Sequence, residues 1–327
     1  MPCRQAFSVT VAVLVSVTVA CSQRPAGPPT ERLSIATGGT GGVFYPYGGG
    51  IAKLISEHLG HVEATAEVTA ASVDNLKFLH QGTSDLAFTM SDTARDGLLG
   101  QGAFTDFGAV QVRALAVLYS SYAHLVTRSD SAIRSVADLR GRVISTGAAG
   151  SGTAVLATRI LEAAGVDPKA DVQAQSLGVA QSVDALKDGK IEAFFWNGGL
   201  PTAAVLDLVH TPGMNAHLVP TDGVLPNLEQ TYGASLYYRE VIPGDVYGME
   251  TDTAVVAVAN MLVAAEAMSE SLAYDITRLL FERQGDLAAI HPQALTLALE
   301  TAGRSSAIPY HPGAIRYYKE RQVWTAR

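Results

Sequence analysis

Two glycine-rich loops have the composition of an anion-binding site. The first covers residues 37–42, with the sequence TGGTGG, and the second covers residues 147–153, with the sequence GAAGSGT. Each follows a short apolar run and precedes apolar residues at helical spacing, so each is expected at the N-terminus of a helix. Free backbone N–H groups and the helix dipole favour a carboxylate or phosphate there, and Thr40, Ser151 and Thr153 add hydroxyl groups. For either loop taken alone, a structural turn is the alternative.

The chain has no recognisable nucleotide motif or catalytic set. Both loops lack the G-x-x-x-x-G-K-[S/T] and G-x-G-x-x-G patterns, and Ser151 is not in a G-x-S-x-G elbow. His58 and His61 have H-x-x-H spacing, but without a third ligand nearby a solvated helix end is favoured over a metal site. We therefore predict no catalytic residue, no metal and no cofactor. The enzyme alternative is a periplasmic transferase or hydrolase that uses Ser151 or Ser72.

The two loops belong to a unit that occurs twice in the chain. Ile35–Gly42 has a counterpart in Ile144–Gly152, and Ser72–Lys77 has a counterpart in Ser182–Lys187, at a nearly constant offset. Each copy reads as strand, glycine-rich loop, helix, strand, helix, strand. Three matching elements in the same order favour duplication over chance.

The strands and helix boundaries of the two copies follow from their apolar patterns. Ser72 and Ser182 are predicted to cap the second helix of each copy, and Gly60 and Gly165 to end the first. The predicted first and third strands of the first copy are Leu33–Ala36 and Leu86–Met90, and those of the second copy are Val143–Ser145 and Ala193–Trp196.

Strands that alternate with helices predict an α/β fold with parallel sheets. We expect two lobes joined by hinge strands at Leu115–Thr127 and Thr253–Ala264. Lobe 1 then comprises residues 31–121 and 258–327, and lobe 2 residues 122–257. Ligands of open parallel sheets bind outside the carboxyl ends of the strands, so the loops of both copies are expected to face a cleft between the lobes.

Several aromatic and amide residues follow the predicted strands and could form the walls of this cleft. Tyr45 and Tyr47 come after the first loop, and Trp196 and Asn197 end the last strand of the second copy. A tyrosine or tryptophan offers an apolar face with a polar tip. Packing in the core is the alternative for each aromatic residue.

The N-terminal segment predicts export and a lipid anchor. Residues 1–21 have the features of a signal peptide that ends at Cys21 in the sequence Thr-Val-Ala-Cys, and residues 22–30 form a polar, proline-rich stalk. Lipidation of Cys21 is favoured, and ordinary cleavage beside an incidental cysteine is the alternative. The net charge of −8 argues against nucleic acid as a partner.

With these residues in view, the chain resembles the TAXI family of solute receptors, which serve one class of TRAP transporters. The resemblance covers residues 33–323. Its motifs are Thr37–Gly49, Ala71–Leu76, Gly82–Phe88, Asp138–Val143 leading into Gly150–Thr153, and His311–Glu320.

The resemblance implies a periplasmic receptor with the two-lobed, hinge-closing fold of the periplasmic-binding-protein type (type II), which binds a small carboxylate or amino acid, such as glutamate or a dicarboxylate. Its partners would be the membrane permease subunits of an ion-driven TRAP transporter, and the alternative is a receptor for an ATP-driven importer. Trp196 and Asn197 depart from the residues expected there, and no arginine stands in a matching motif. The implied ligand-binding residues are Thr40, Gly41, Gly42, Tyr45, Ser72, Asn75, Ser91, Gly150, Ser151, Gly152, Thr153, Trp196, Asn197 and Gly198.

Overall fold

The first repeat alternates strands and helices as expected. The computed structural model describes residues 31–303 and 306–325, so the predicted signal peptide, Cys21 and the stalk lie outside the described residues. The elements of the first repeat (residues 31–99) are β1 Glu31–Ala36, α1 Phe44–His58, β2 Val62–Glu67, α2 Ser72–Gln81, β3 Leu86–Met90 and α3 Ser91–Leu99.

The second repeat (residues 143–198) follows a long strand and has the same order of elements. Its members, with the strand before it, are β4 Val112–Arg128, β5 Val143–Ser145, α4 Gly152–Ala163, β6 Gln173–Gln175, α5 Val179–Lys187 and β7 Ala193–Gly198. The remaining elements are α6 Ala203–Val209, β8 Ala216–Leu218, α7 Leu225–Tyr232, β9 Tyr237–Ile242, β10 Thr253–Ala265, α8 Glu270–Glu282, α9 Gln284–Ile290, α10 Leu299–Ala302 and α11 Pro312–Glu320.

The strands form one continuous sheet in the order β2-β1-β3-β10-β4-β7-β5-β6, with β8 beside β4 and β9 beside β10. Strands β1, β2 and β3 are parallel, and so are β5, β6 and β7. In each repeat the first strand lies between the second and the third, so the topology agrees with the duplication inferred from the sequence.

Two long antiparallel strands connect the repeats. Strand β4 pairs with β10 from Tyr122 opposite Ala257 to Val112 opposite Ala265. Strand β10 also pairs with β3, and β4 with β7. The predicted hinge segments lie within these two strands, which are therefore the connections about which the repeats could move.

The buried apolar residues form separate cores for the two parts of the chain. One cluster contains buried residues between 33 and 119 and between 261 and 318. The buried members of the other two clusters lie between 123 and 258, apart from Met90. This distribution supports lobe boundaries near residues 121 and 258, which stay a prediction.

Both predicted serine caps are wrong. Helix α2 begins at Ser72 itself, with Ala71 as its N-cap and no side-chain cap. Helix α5 begins three residues before Ser182, with Gly178 as its N-cap, and the buried Ser182 hydroxyl donates to Ser145 Oγ at 2.9 Å. Ser182 is therefore an interior helix residue that ties α5 to β5.

The two glycines predicted to end the first helices differ in conformation. Gly60 and Gly165 each follow the C-cap residue of their helix, α1 and α4 respectively. Gly165 has a φ of +71°, a left-handed conformation that glycine adopts without strain. Gly60 has no positive φ, so it does not end α1 in this way.

A buried histidine on β4 predicts how stability depends on pH. His124 is fully buried, and its ring nitrogens lie 2.8 Å from the Tyr122 carbonyl oxygen and 3.0 Å from the Tyr247 hydroxyl. Burial lowers the pKa of His124 to about 4, although the backbone of Tyr122 and Trp196 favours the charged ring. Below its ordinary pKa the unfolded chain binds a proton that the folded chain excludes, so stability falls as the pH falls from 6.5 to about 4.

The expected loss attributable to His124 is about 2 kcal/mol between pH 7 and pH 5. Urea unfolding of the wild type and His124→Gln at both pH values measures it, because the variant lacks this contribution. Replacement of the exposed His58 by Gln is the matched control. An equal pH dependence in the wild type and His124→Gln would contradict the prediction.

Candidate ligand-binding site

A cavity of about 320 Å³ lies where loops of the two repeats meet. The loops leave the carboxyl ends of β1, β2, β5, β6 and β7, which is where open parallel sheets bind ligands. The lining comprises residues 38–44, 68–72, 147–148, 151–153, 177–181 and 196–198, together with Met90 and Tyr119.

Most of the predicted ligand-binding residues come together in this lining. Both glycine-rich loops contribute, and so does the end of β7. The predicted residues that line the cavity are Thr40, Gly41, Gly42, Ser72, Ser151, Gly152, Thr153, Trp196, Asn197 and Gly198. That they contact a ligand stays a prediction.

Four predicted residues lie outside the lining. Tyr45 is 36% exposed on α1, and Ser91 is the buried first residue of α3. Gly150 packs against Asp74, because a Cβ at Gly150 would lie 2.4 Å from Asp74 Oδ1. The buried Asn75 side chain forms hydrogen bonds within the protein. The direct contact with a ligand that was expected for these four residues therefore has no support from the cavity lining.

Asn75 does not line the cavity, but its hydrogen bonds hold the segments after β1 and β2 in position. Its Nδ2 donates to the carbonyl oxygens of Thr37 at 2.7 Å and Phe88 at 2.8 Å, and its Oδ1 accepts from the Thr69 hydroxyl at 2.6 Å. It therefore connects the ends of β1 and β3 to the loop before α2. In that loop Ala71 has a φ of +94° and a ψ of −144°, a strained conformation for a residue with a Cβ.

Several lining residues were not singled out from the sequence. Phe44, Met90 and Tyr119 line the cavity, as does the segment 177–181 before and within the start of α5. The duplication contained the signal for this segment, since residues 178–181 correspond to residues 68–71 of the first repeat. Tyr119 lies on the hinge strand β4, where no loop motif indicates a site.

No charged side chain lines the cavity in the part of the chain that the structure describes. Phe44, Gly152 and Val179 are the first residues of α1, α4 and α5, and all three line the cavity. Within the described ranges, their backbone N–H groups have no protein acceptor. Three helix N-termini therefore supply the positive potential of the site.

The two repeats touch each other around the cavity. The carbonyl oxygen of Gly150 accepts from the backbone N–H groups of Val73 and Asp74, both at 3.1 Å. Trp196, held by an Nε1–H bond to Thr202 Oγ1 at 2.9 Å, packs close to Gly42. These contacts describe an arrangement in which the repeats close over the cavity.

The comparison with known families identifies the family of the chain. A profile described as the NMT1-like family matches residues 35–321, which is most of the sequence. The chain belongs to the NMT1-like family. The matched range of this NMT1-like protein includes both repeats and both hinge strands.

Solved structures with similar folds include proteins that belong to membrane importers or were studied in connection with them. A putative L-cystine ABC transporter protein from Listeria monocytogenes is 14% identical, with a TM-score of 0.50, over 81% of this chain and 96% of that one. A structure from work on glutathione import through GshT and the cystine ABC importer TcyBC of Streptococcus mutans is 12% identical, with a TM-score of 0.51, over 81% and 95%.

A third similar structure is XAC2383 from Xanthomonas citri bound to a chloride ion, at 11% identity and a TM-score of 0.51, over 88% of this chain and 95% of that one. At such low identity these likenesses show the fold alone. The predicted α/β fold of two-lobed periplasmic binding proteins is confirmed.

A buried ion-pair cluster also joins the two repeats of this NMT1-like protein. The guanidinium of Arg159 on α4 lies 3.3 Å from Asp92 Oδ2, bonds to Asp96, and donates to the Tyr237 hydroxyl at 2.7 Å. Its carbon atom also lies 4.4 Å from the centre of the Tyr232 ring. Asp92 and Asp96 are on α3 of the first repeat, so Arg159 links α3 to α4, α7 and β9.

The charges in this cluster depend on one another. Burial raises the pKa of Asp96, and the neighbouring Asp92 raises it further, while Arg159 opposes both. Burial disfavours the charge of Arg159, but Asp92, Tyr237 and Asp96 outweigh it and raise the pKa of Arg159. The guanidinium is therefore the group that keeps two buried carboxyl groups compatible with folding.

Within the described ranges 31–303 and 306–325, no helix has both the length and the apolar composition that crossing a membrane requires.

Proposed function

We propose that this protein is an extracytoplasmic receptor that captures a small anionic solute and delivers it to a membrane importer. The observation that carries the proposal is the cavity between the duplicated repeats, where three helix N-termini meet and where the described lining residues include no charged side chain. A pocket of this size, mainly apolar and with a few polar groups, suits a small-molecule ligand.

Binding is expected to close the protein about its hinge. Strands β4 and β10 connect the repeats, and the loops of both repeats contribute to the cavity. A solute that contacts both sets of loops stabilises the closed form over an open one, by the difference in its affinity for the two. The importer would recognise the closed form.

An ATP-driven importer is the partner that the structural comparisons favour. Two of the similar structures are described in connection with ABC transporters. A TAXI-type TRAP transporter is the second candidate, and the motifs at Thr37–Gly49 and His311–Glu320 favour it. Uptake of the bound solute by producing cells separates them: ABC import fails when ATP is depleted but survives an ionophore, whereas TRAP import stops when the ion gradient collapses.

The two serine hydroxyl groups considered as nucleophiles are engaged in structural hydrogen bonds, which supports binding over catalysis. Ser151 donates to the Ala148 carbonyl oxygen at 2.6 Å and accepts from the Ala154 N–H at 3.1 Å, as the N-cap of α4. Ser72 accepts from the Met90 N–H at 3.1 Å. In the described part of the chain neither serine bonds to a histidine or carboxylate that could act as its base.

The mature protein is proposed to lie outside the cytoplasmic membrane. Its support is the N-terminal sequence, in which an apolar run ends at Cys21 and a proline-rich stalk follows. A lipid on Cys21 would hold the receptor near its importer.

Thermal unfolding of the leaderless protein against a panel of amino acids, mono- and dicarboxylates and sulfonates tests the receptor function. A solute at about one hundred times its Kd is expected to add about 2.7 kcal/mol to the free energy of unfolding. A clear shift with one group of related anions is the predicted result. Shifts absent across the whole panel would contradict the proposed function.

A further inference from the structure

A row of four buried polar side chains, for which the described residues supply no hydrogen-bond partner, runs along the sheet and reaches the cavity floor through two of its members. Asn197, Tyr119, Ser121 and Asn260 are all at most 6% exposed. The Asn197 and Asn260 amides and the Tyr119 and Ser121 hydroxyl groups have no hydrogen-bond partner among the described residues. Leaving such a group without a hydrogen bond costs about 1–3 kcal/mol. A row of four therefore indicates that a bound molecule supplies hydrogen bonds to these side chains.

Strand pairing puts these side chains on one face of the sheet. Asn260 is opposite Tyr119 in the β10–β4 pair, and Asn197 is opposite Ala123 in the β4–β7 pair. Alternate residues of a strand share a face, so Tyr119, Ser121 and Ala123 point the same way along β4, and their partners point with them. Of this row, Tyr119 and Asn197 line the cavity directly.

Every polar group at this floor is neutral. Asn197 offers one acceptor and two donor hydrogens, and Tyr119 offers a hydroxyl. Trp196, Phe44 and Met90 supply apolar surface beside them, and within the described residues no acidic or basic side chain lines the cavity. A positive charge on a ligand would therefore have no anionic side chain beside it in this lining, and a second negative charge would have no cationic one.

We infer that the ligand is a monoanion with an apolar body and no positive charge, such as a small monocarboxylate, and that Asn197 selects against a further charge. The inference rests on the proposed function and narrows the class of ligand. The helix N-termini would bind the one acidic group, and the neutral floor of the cavity would contact the rest of the molecule. It excludes zwitterionic amino acids and dicarboxylates, the ligands that the sequence resemblance implied.

Four solutes with the same five-carbon chain test the inference by calorimetric titration. Pentanoate carries one carboxylate, glutarate adds a second, L-norvaline adds an ammonium group, and L-glutamate adds both. Since each extra charge is buried without a partner, pentanoate is expected to bind about 100-fold more tightly than each of the other three. Glutarate, norvaline or glutamate binding as tightly as pentanoate would overturn the inference and leave the proposed function intact.

If none of the four binds, the charge of the best solute from the wider thermal panel decides the matter. A hit with one negative charge and no positive charge supports the inference, and a zwitterion, a dianion or a neutral molecule overturns it. A panel without any hit removes the proposed function itself, and the inference with it.

Asn197→Asp tests the role of the selecting residue. A carboxylate at the cavity floor is expected to weaken pentanoate binding at least about 10-fold through charge repulsion, and to reduce the preference for pentanoate over L-norvaline. Asn215→Asp makes the same change of charge at an exposed position and is the matched control. Unchanged affinity and preference in a folded Asn197→Asp protein would contradict the assignment. If that variant does not fold, the titration of the four five-carbon solutes against the wild type decides the inference by itself.

Discussion

Gly152→Ala is expected to reduce solute affinity about 100-fold while the chain still folds. A Cβ at Gly152 would lie 2.6 Å from Ser72 Oγ and 2.7 Å from Met90 Sδ, distances that real Cβ atoms essentially never show. Ser72 cannot simply rotate away, because its Oγ accepts the hydrogen bond from the Met90 N–H. Gly152 belongs to the second repeat and both neighbours to the first, so the added methyl group prevents the repeats from closing.

The matched control for this variant is Gly39→Ala, because Gly39 also lines the cavity but a Cβ there would have no atom within 4 Å. It is expected to keep the affinity of the wild type. Calorimetric titration of both variants with the best solute measures the difference, and circular dichroism checks folding. Equal affinities of the two variants would show that the repeats do not approach each other at Gly152 when the solute is bound.

Arg159→Met is expected to lower the free energy of unfolding by about 3–5 kcal/mol, because it leaves two buried carboxyl groups without their cation. The side chain of Asp92 is fully buried and that of Asp96 is 13% exposed, and both lie against Arg159. Methionine fills much of the volume of the arginine stem, so the loss comes mainly from the charge and its hydrogen bonds. Urea unfolding at neutral pH measures the effect.

Arg278→Met is the control for the loss of a partly exposed arginine. Arg278 pairs with Asp275 and Glu282 on the same helix, and its side chain is 32% exposed. Its replacement is expected to cost less than about 1 kcal/mol, as is usual for ion pairs at the surface. Similar losses in the two variants would mean that the Arg159 cluster contributes no more than a surface pair.

The fold was largely predictable because its signals are local and repeated. Strand β3 and strand β5 have the predicted bounds, and the two hinge segments lie within β4 and β10. Long apolar runs bounded by polar residues define such strands, and the duplication supplies the topology. The start of α5 was missed because a glycine cap at Gly178, four residues before Ser182, does not stand out in a sequence rich in glycine.

The site was predictable only where loop chemistry revealed it. The glycine-rich loops and the end of β7 at Trp196–Gly198 line the cavity, as their composition indicated. The contribution of Tyr119 depends on how β4 pairs with β10, which no local pattern encodes.

The interior role of Asn75 and the Arg159 cluster likewise depend on contacts between distant parts of the chain. Asn75 bonds to a carbonyl group 38 residues away, and Arg159 to a carboxyl group 67 residues away. The neutrality of the cavity is a property of its whole lining and could be seen only after folding brought the lining together.

The two repeats are proposed to close over one solute. Small-angle X-ray scattering of the leaderless protein, without and with the solute that gives the largest thermal shift, measures this closure. We expect a smaller radius of gyration in the presence of the solute, with a change that saturates at one solute per chain and is absent in Gly152→Ala. A radius of gyration that does not change in the wild type at saturating solute would contradict it.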